Sequence, residues 1–336
     1  MAVALTPGRP SASPDDDSPR VIVSPVAFGD RIFRGLLRGA GLTVLFVTAM
    51  ILLFLVLRSL SALKRAGLGF FTTANFYPEL SGHFGIAALL PDSALIAVVA
   101  LAIAIPIGVS AAIYISEYAP HSLRGPLISV IDLMAAIPSI VFALWGFFYL
   151  MPRILGLDQW LSHHLGFIPI FRFSLADSLP NFVGSTFIAS VVVALMVIPI
   201  ITSLTRQVFS QTPQGEREAA YALGSTKWGM VRTVVLPFGR AGIIGASMLG
   251  LGRALGETIA VTFIITPLTF HFNLHVLEAG GNSITDEIAT FIRQYDPKGQ
   301  AALLACGLVL FVATLIVNTL ASIVVNRSRS GAATAD

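Results

Sequence analysis

The chain has 336 residues, of which only 12% are charged and 55% hydrophobic, and its mean hydropathy is +0.82. A soluble domain carries about 25% charged residues, so there is too little polar surface to cover a water-soluble globule of this size. The composition excludes a soluble protein with a large buried core and points to an integral membrane protein with one multi-span domain.

The net charge of +3 is not read as a nucleic-acid footprint, because basic residues in a membrane protein serve to set orientation. The single cysteine, Cys306, lies in an apolar run and reads as a small buried hydrophobe. It has no partner for an intramolecular disulfide.

Residues 1–30 are rich in Pro, Ser and Asp. Such a composition cannot offset chain entropy, so a disordered tail is expected over 1–37. It does not read as a secretory signal, since no apolar core follows a basic start and Asp15, Asp16 and Asp17 intervene.

Six apolar runs follow: 39–57, 93–116, 127–152, 178–205, 241 to about 267, and 299–326. Each is long enough for a helix across a hydrocarbon core about 30 Å thick. They lack the alternation of barrel strands, so six transmembrane helices and an all-α fold are expected. An even number places both termini on one side. Thirteen of the 21 Lys and Arg fall on that side and seven on the other, with Arg253 between. The positive-inside rule then favours cytoplasmic N- and C-termini, with a C-terminal tail from 327 to 336. Pro106, Pro138 and Pro199 fall inside spans, which favours a pore or a moving bundle.

The inner loop 206–240 is the most distinctive segment. Thr212 and Pro213 read as an N-cap and first helical residue. Glu216 and Glu218 lie in the early turns, where the helix dipole favours acids. Gly224 suits a left-handed helix end. Ser225 reads as the cap of a second short helix running to Val235, which Pro237 ends or kinks. Two short helices outside the membrane are expected, with the small residues Ala219, Ala220, Ala222 and Gly224 open to close approach by a partner.

Glu218-Ala219-Ala220, then Gly224, then Val234 and Leu236-Pro237 resemble the EAA loop of ABC importer permeases, with Val234 where that family usually has Ile. The resemblance implies a type I ABC importer permease (MetI-like) architecture. It also implies that the loop docks in a groove of an ATPase subunit and transmits ATP-driven closure to the spans. By the residues alone, an amphipathic surface helix without a partner is the alternative.

The fifth span carries charge. Arg253 and Glu257 are four residues apart, as are Gly252 and Gly256, and the glycines form a small-xxx-small pattern for close helix packing. A helix through this segment would put Arg253 and Glu257 on one face. Intramembrane charges usually face a cavity or each other. Two readings stay open: a self-neutralising pair, or an arginine that attracts an anion while Glu257 orients the guanidinium or accepts a proton from a partly protonated anion. Asp132, near the inner end of the third span, is a weaker functional candidate, and capping or interface solvation explains it at least as well.

Residues 135–141 with Leu144-Trp145-Gly146, residues 248–258, and residues 281–285 resemble segments of phosphate importer permeases of the PstC type, with likeness over most of 40–326. That resemblance implies a phosphate importer. Its partners would be a second, PstA-like permease, PstB-like ATPase subunits and a PstS-like extracytoplasmic phosphate-binding protein. ATP and Mg would sit on the partner subunits and no cofactor on this chain. Permeases for another oxyanion or small solute, and a passive channel, are the alternatives.

No GxxxxGK[ST] loop is present, so no ATP site of that kind is expected. His271 and His275 have helical spacing but lack the glutamate of a zinc-hydrolase motif, and together with His163 and His164 they read as interfacial. Trp145, Trp160 and Trp228 suit interfacial anchoring.

Overall fold

The computed structural model describes residues 28–77, 83–172, 183–265 and 275–329. Residues 28–51 and residues from 52 onward are two separate units. The first is the N-terminal part of helix α1, Phe28–Ala66, which starts earlier than the boundary expected at residue 38. Its large apolar side chains, Leu42, Phe46 and Met50 among them, are exposed, as suits a helix facing lipid.

The second unit is almost wholly helical. After α1, a two-residue antiparallel pair joins β1 (Phe76–Tyr77) to β2 (His83–Phe84), with Phe76 opposite Phe84. Helix α2 spans Leu90–Ile113 and ends in a π-helical turn at Tyr114–Tyr118. Then come α3 (His121–Ala136), α4 (Ser139–Trp145) and α5 (Met151–Leu165). Helix α6 covers Thr186–Ser210, α7 Gln214–Ala222, α8 Lys227–Met230 and α9 Leu236–Leu255. Helices α10 (Ile259–Ile264), α11 (Ile284–Phe291) and α12 (Pro297–Arg329) complete the order.

Six stretches of the described residues are long and apolar enough to cross a membrane. Five overlie the expected spans, although the expected starts of the fourth at Ser178 and end of the fifth near Pro267 lie outside the described residues. The third differs. Pro138 does not merely kink it: Ile137 is extended, with ψ 128°, and the helix stops and restarts at Ser139. Proline restricts its predecessor to extended backbone and cannot donate to the preceding turn. The apolar stretch is therefore Ser139–Leu165 rather than 127–152. Pro106 and Pro199, by contrast, stay inside continuous helices.

The core forms where α2, α6 and α9 meet, around Ala97, Ala100, Ala104, Val193, Val197 and Ile201. Small residues let these backbones approach, since lipid supplies no hydrophobic drive between helices and packing must do so. A Cβ on Gly250 of α9 would come within 2.7 Å of Val197 Cγ1, and one on Gly242 would collide with Val208. Replacing Gly250 by Val should therefore destabilise the bundle by about 1–3 kcal/mol, the usual cost of overpacking. Thermal unfolding of the detergent-solubilised protein reads this directly, and an unchanged Tm would contradict the packing. The close approach falls at these glycines and not at Gly252 and Gly256, for which the small-xxx-small pattern predicted it. Among the described residues, the neighbour beyond its own helix that a Cβ on Gly252 would meet within 4 Å is Asn318 Oδ1, at 3.8 Å.

Candidate functional site

The lever at 206–240 is built much as its residues dictate. Gly224 has φ +81°, a left-handed conformation that costs glycine nothing. Gly224 N–H donates to the Tyr221 carbonyl at 2.9 Å, and Ser225 N–H reaches back to the Ala220 carbonyl at 3.1 Å. This double bond pattern closes α7 in a Schellman motif. Gln214 Nε2 donates to Glu218 Oε1 at 3.1 Å and holds the carboxylate along the exposed face. The start is shifted from expectation, because Pro213 and not Thr212 is the capping position. The second helix is capped by Thr226, whose hydroxyl accepts from Gly229 N–H at 3.1 Å, rather than by Ser225.

Pro237 neither ends nor breaks the next helix. It lies in the first turn of α9, and a π-helical turn at Val231–Val235 joins α8 to α9. Because Lys227–Leu255 is helical throughout, Pro237 removes a donor and crowds the preceding turn, and the π-helical turn just before it is where the backbone absorbs this. The lever thus runs straight into the fifth span, Lys227–Leu255. Between α7 and α9 lies an open groove of about 530 Å³, lined by Ala219, Ala220, Leu223, Val234, Pro237 and Phe238 among others. Leu223, Tyr221 and Trp228 are exposed beside it. Leu236 is half-buried and packs inward against the cluster of Phe209, Met230 and Val235.

The fifth span is discontinuous. Helix α9 stops at Leu255 and α10 starts at Ile259, so Arg253 and Glu257 do not share one helix face as the spacing predicted. Glu257 is buried, and its Oε1 accepts from Ala260 N–H at 3.3 Å, capping the first turn of α10. Its backbone carbonyl accepts from Thr285 Oγ1 at 3.0 Å. Arg253 is exposed in the last turn of α9 and makes no ion pair among the described residues. The self-neutralising pair is therefore absent from this structure.

Arg253 instead lines a cavity of about 710 Å³, with Gly252, Gly256 and Met248 beside it and Leu310, Thr314 and Asn318 of α12 across from it. An exposed guanidinium in a cavity between apolar helices offers fixed donors to an oxyanion. Glu257 does not line this cavity; its side chain secures the helix break beneath it. Thr314 and Asn318 were missed from sequence. A polar Asn318 within an apolar run was the available signal, although polar residues in spans often serve helix packing alone.

The segment 281–285 is stitched to this break. Asn282 N–H donates to Asp92 Oδ2 at 3.0 Å and Ile284 N–H to Ser93 Oγ at 2.9 Å, both at the start of α2. Ser283 caps α11 through Asp286 N–H at 3.1 Å. Burial holds the Asp286 carboxyl above its usual range. Glu287 is pushed up to about 7, by burial first and then by the charge of Asp286, while the Tyr295 hydroxyl at 3.3 Å partly offsets this. A carboxyl raised in the fold penalises stability as pH climbs from its ordinary 4.5 towards 7, because the unfolded chain ionises first. Above that window the penalty is constant, and below it there is none. Glu287→Gln should thus raise the Tm at about pH 8 and leave it unchanged at about pH 4.5. An equal shift at both pH values would count against this burial effect.

Other residues take plainer roles. Asp132 accepts from Ser203 Oγ at 3.1 Å across to α6. His164 Nδ1 lies 2.9 Å from the Trp160 carbonyl, and its ring stacks on the exposed Trp160. His275 lies 3.3 Å from the buried Glu278, whereas His271 is outside the described residues. Trp145 stacks on Tyr149.

Residues 104–330 match the family described as binding-protein-dependent transport system inner membrane component. The chain is 38% identical over 307 residues (90% of this chain, 93% of the relative) to the phosphate transport system permease protein PstC 2 of Mycobacterium tuberculosis. It is 39% identical over 277 residues to the PstC of Mycobacterium leprae, covering 80% of this chain and 84% of that one. With the PstC of Haemophilus influenzae the identity is 37% over 288 residues, 85% and 90% of the two chains. The fold is similar to the crystal structure of a bacterial ABC transporter involved in the import of the acidic polysaccharide alginate. There the TM-score is 0.53 at 15% identity, over 88% of this chain and 99% of that one. The helical order, the lever and the broken fifth span therefore belong to an ABC importer permease, and the chain is a member of the binding-protein-dependent transport system inner-membrane components.

Proposed function

We infer that this permease provides half of the translocation path of an ATP-driven phosphate importer. The observation that carries the reading is Arg253, exposed to a cavity of about 710 Å³ and unpaired among the described residues. The PstC names of relatives 37–39% identical over most of the chain support phosphate as its anion. Arg253 attracts the anion transiently, because a site that held it tightly would stall passage. Glu257 serves the same path by fixing the α9–α10 break, and Gly252 and Gly256 leave the wall beside Arg253 without side-chain bulk.

The termini and the lever face the cytoplasm, following the distribution of Lys and Arg. Glu218, Ala219, Ala220, Gly224, Leu236 and Pro237 form the coupling element on which a PstB-like ATPase docks. ATP and Mg belong to that subunit and not to this chain. A PstA-like permease supplies the other half of the path, and a PstS-like binding protein delivers phosphate from outside. Alternating access follows: the loaded binding protein docks, nucleotide closes the ATPase pair, and the lever moves the spans.

Proteoliposomes holding the complete complex test the reading. Labelled phosphate should accumulate only with ATP inside the compartment that the lever faces, and excess sulfate should not compete. Equal competition by sulfate would assign the path to another oxyanion, and ATP-independent equilibration would make it a channel.

A further inference from the structure

Arg217 of α7 does not line the docking groove but reaches inward to the ends of two spans. Its guanidinium forks onto Glu117, with Nη2 3.1 Å from Oε1 and Nη1 donating to Oε2 at 3.3 Å. Nη2 also donates to the Phe209 carbonyl at 2.7 Å. Glu117 is only 7% exposed and lies in the π-helical turn that closes the second span. A carboxylate this deep is tolerated when it is paired and hydrogen-bonded. The Phe209 carbonyl belongs to the last turn of α6, where helix carbonyls lack intrahelical donors and a cation is favoured.

One side chain of the lever therefore satisfies the inner ends of both α2 and α6. Only a planar fork with several donors can do so, and lysine offers a single point charge. The lever is joined covalently to α6 through residues 211–213, but it has no covalent link to α2. Its hold on α2 comes from this ion pair, from Lys227 over the Tyr118 ring at 4.8 Å, and from Ala220 and Met230 buried with Ala112 and Phe209. The Glu117 pair is the one directional contact among them. Helices α2 and α6 in turn pack into the core that carries α9 and its cavity.

We propose that Arg217 is a positioning residue for transport, locking α2 to the lever so that displacement of the lever moves α2 and α6 as one body. The inference rests on the reading of this chain as the permease of an ATP-driven phosphate importer, and the test separates the two. The complete complex is reconstituted with wild type, Arg217→Gln, Arg217→Lys and Glu117→Gln, and ATP hydrolysis and phosphate uptake are measured together. ATP hydrolysed per phosphate imported should rise about tenfold in Arg217→Gln, within the range of coupling between linked sites, and less in the other two, with the ATPase subunit still copurifying. An unchanged ratio overturns the proposal. So does loss of assembly in all three variants, which would make the pair structural only.

A second readout is independent of the cargo. Tyr114→Cys places an exposed thiol at the end of α2, in a chain whose native Cys306 is buried. Its labelling rate should change on adding ATP in the wild-type background and stay constant with Arg217→Gln. Equal changes in both backgrounds overturn the proposal. If the wild-type complex imports no phosphate, the transport reading fails, while this labelling still decides the role of Arg217.

Discussion

Gly224→Trp and Glu218→Arg should each abolish phosphate uptake while the chain still inserts in the membrane. Gly224 sits at φ +81°, where a bulky residue is strained by about 1–3 kcal/mol. Relief of that strain would open the Schellman bonds that set the angle between α7 and α8. The damage is local, because a Cβ at Gly224 meets nothing within 4 Å, so insertion and the core are spared. Glu218→Arg removes the bond from Gln214 and reverses the charge on the exposed face of α7. Charge reversal at a docking surface weakens association by several kcal/mol. ATP hydrolysis by the complex should lose its stimulation by the loaded binding protein in both variants. Retention of uptake in both would remove the lever from the mechanism.

Arg253→Gln should lower uptake roughly ten- to a hundredfold, since a charge-assisted hydrogen bond is worth about 1.5–3 kcal/mol. Assembly should be unaffected, because Arg253 is exposed and forms no ion pair among the described residues. Glu257→Gln is the informative contrast. It keeps an oxygen to accept from Ala260 N–H, so the helix break persists and uptake falls less. A loss of assembly in Arg253→Gln, or a larger transport defect in Glu257→Gln than in Arg253→Gln, would reverse these two roles.

The number of spans and the place of five of them could be read from the chain because continuous apolar runs carry their own length, and length in lipid decides the element. The end of α7 was equally readable: Gly224 followed by Ser225 obeys local rules that need no tertiary partner. The two helix breaks could not be placed this way. Hydropathy averages over Ile137-Pro138 and over Gly256-Glu257-Thr258, while the backbone stops at the first because the proline bars the helix and at the second where side chains satisfy its free groups. One of those side chains is Thr285, far along the chain. For the same reason Arg253 and Glu257 looked like a helical pair, when the structure gives one to the cavity and the other to a cap. The Arg217–Glu117 bond joins residues 100 positions apart, and neither residue carries a local signal of the other.

The most direct measurement is a crosslink from the lever. Leu223 is 87% exposed, and the one native cysteine, Cys306, is buried, so Leu223→Cys supplies the single reactive thiol on this chain. In the assembled complex it should crosslink to the ATPase subunit, change its yield with ATP, and resist a membrane-impermeant thiol reagent added outside intact cells. A Cys at the exposed Phe167, just past the C-terminal end of α5, should react with that reagent and not reach the ATPase. Labelling of residue 223 from outside, or a complex in which it touches no ATPase, would contradict the account.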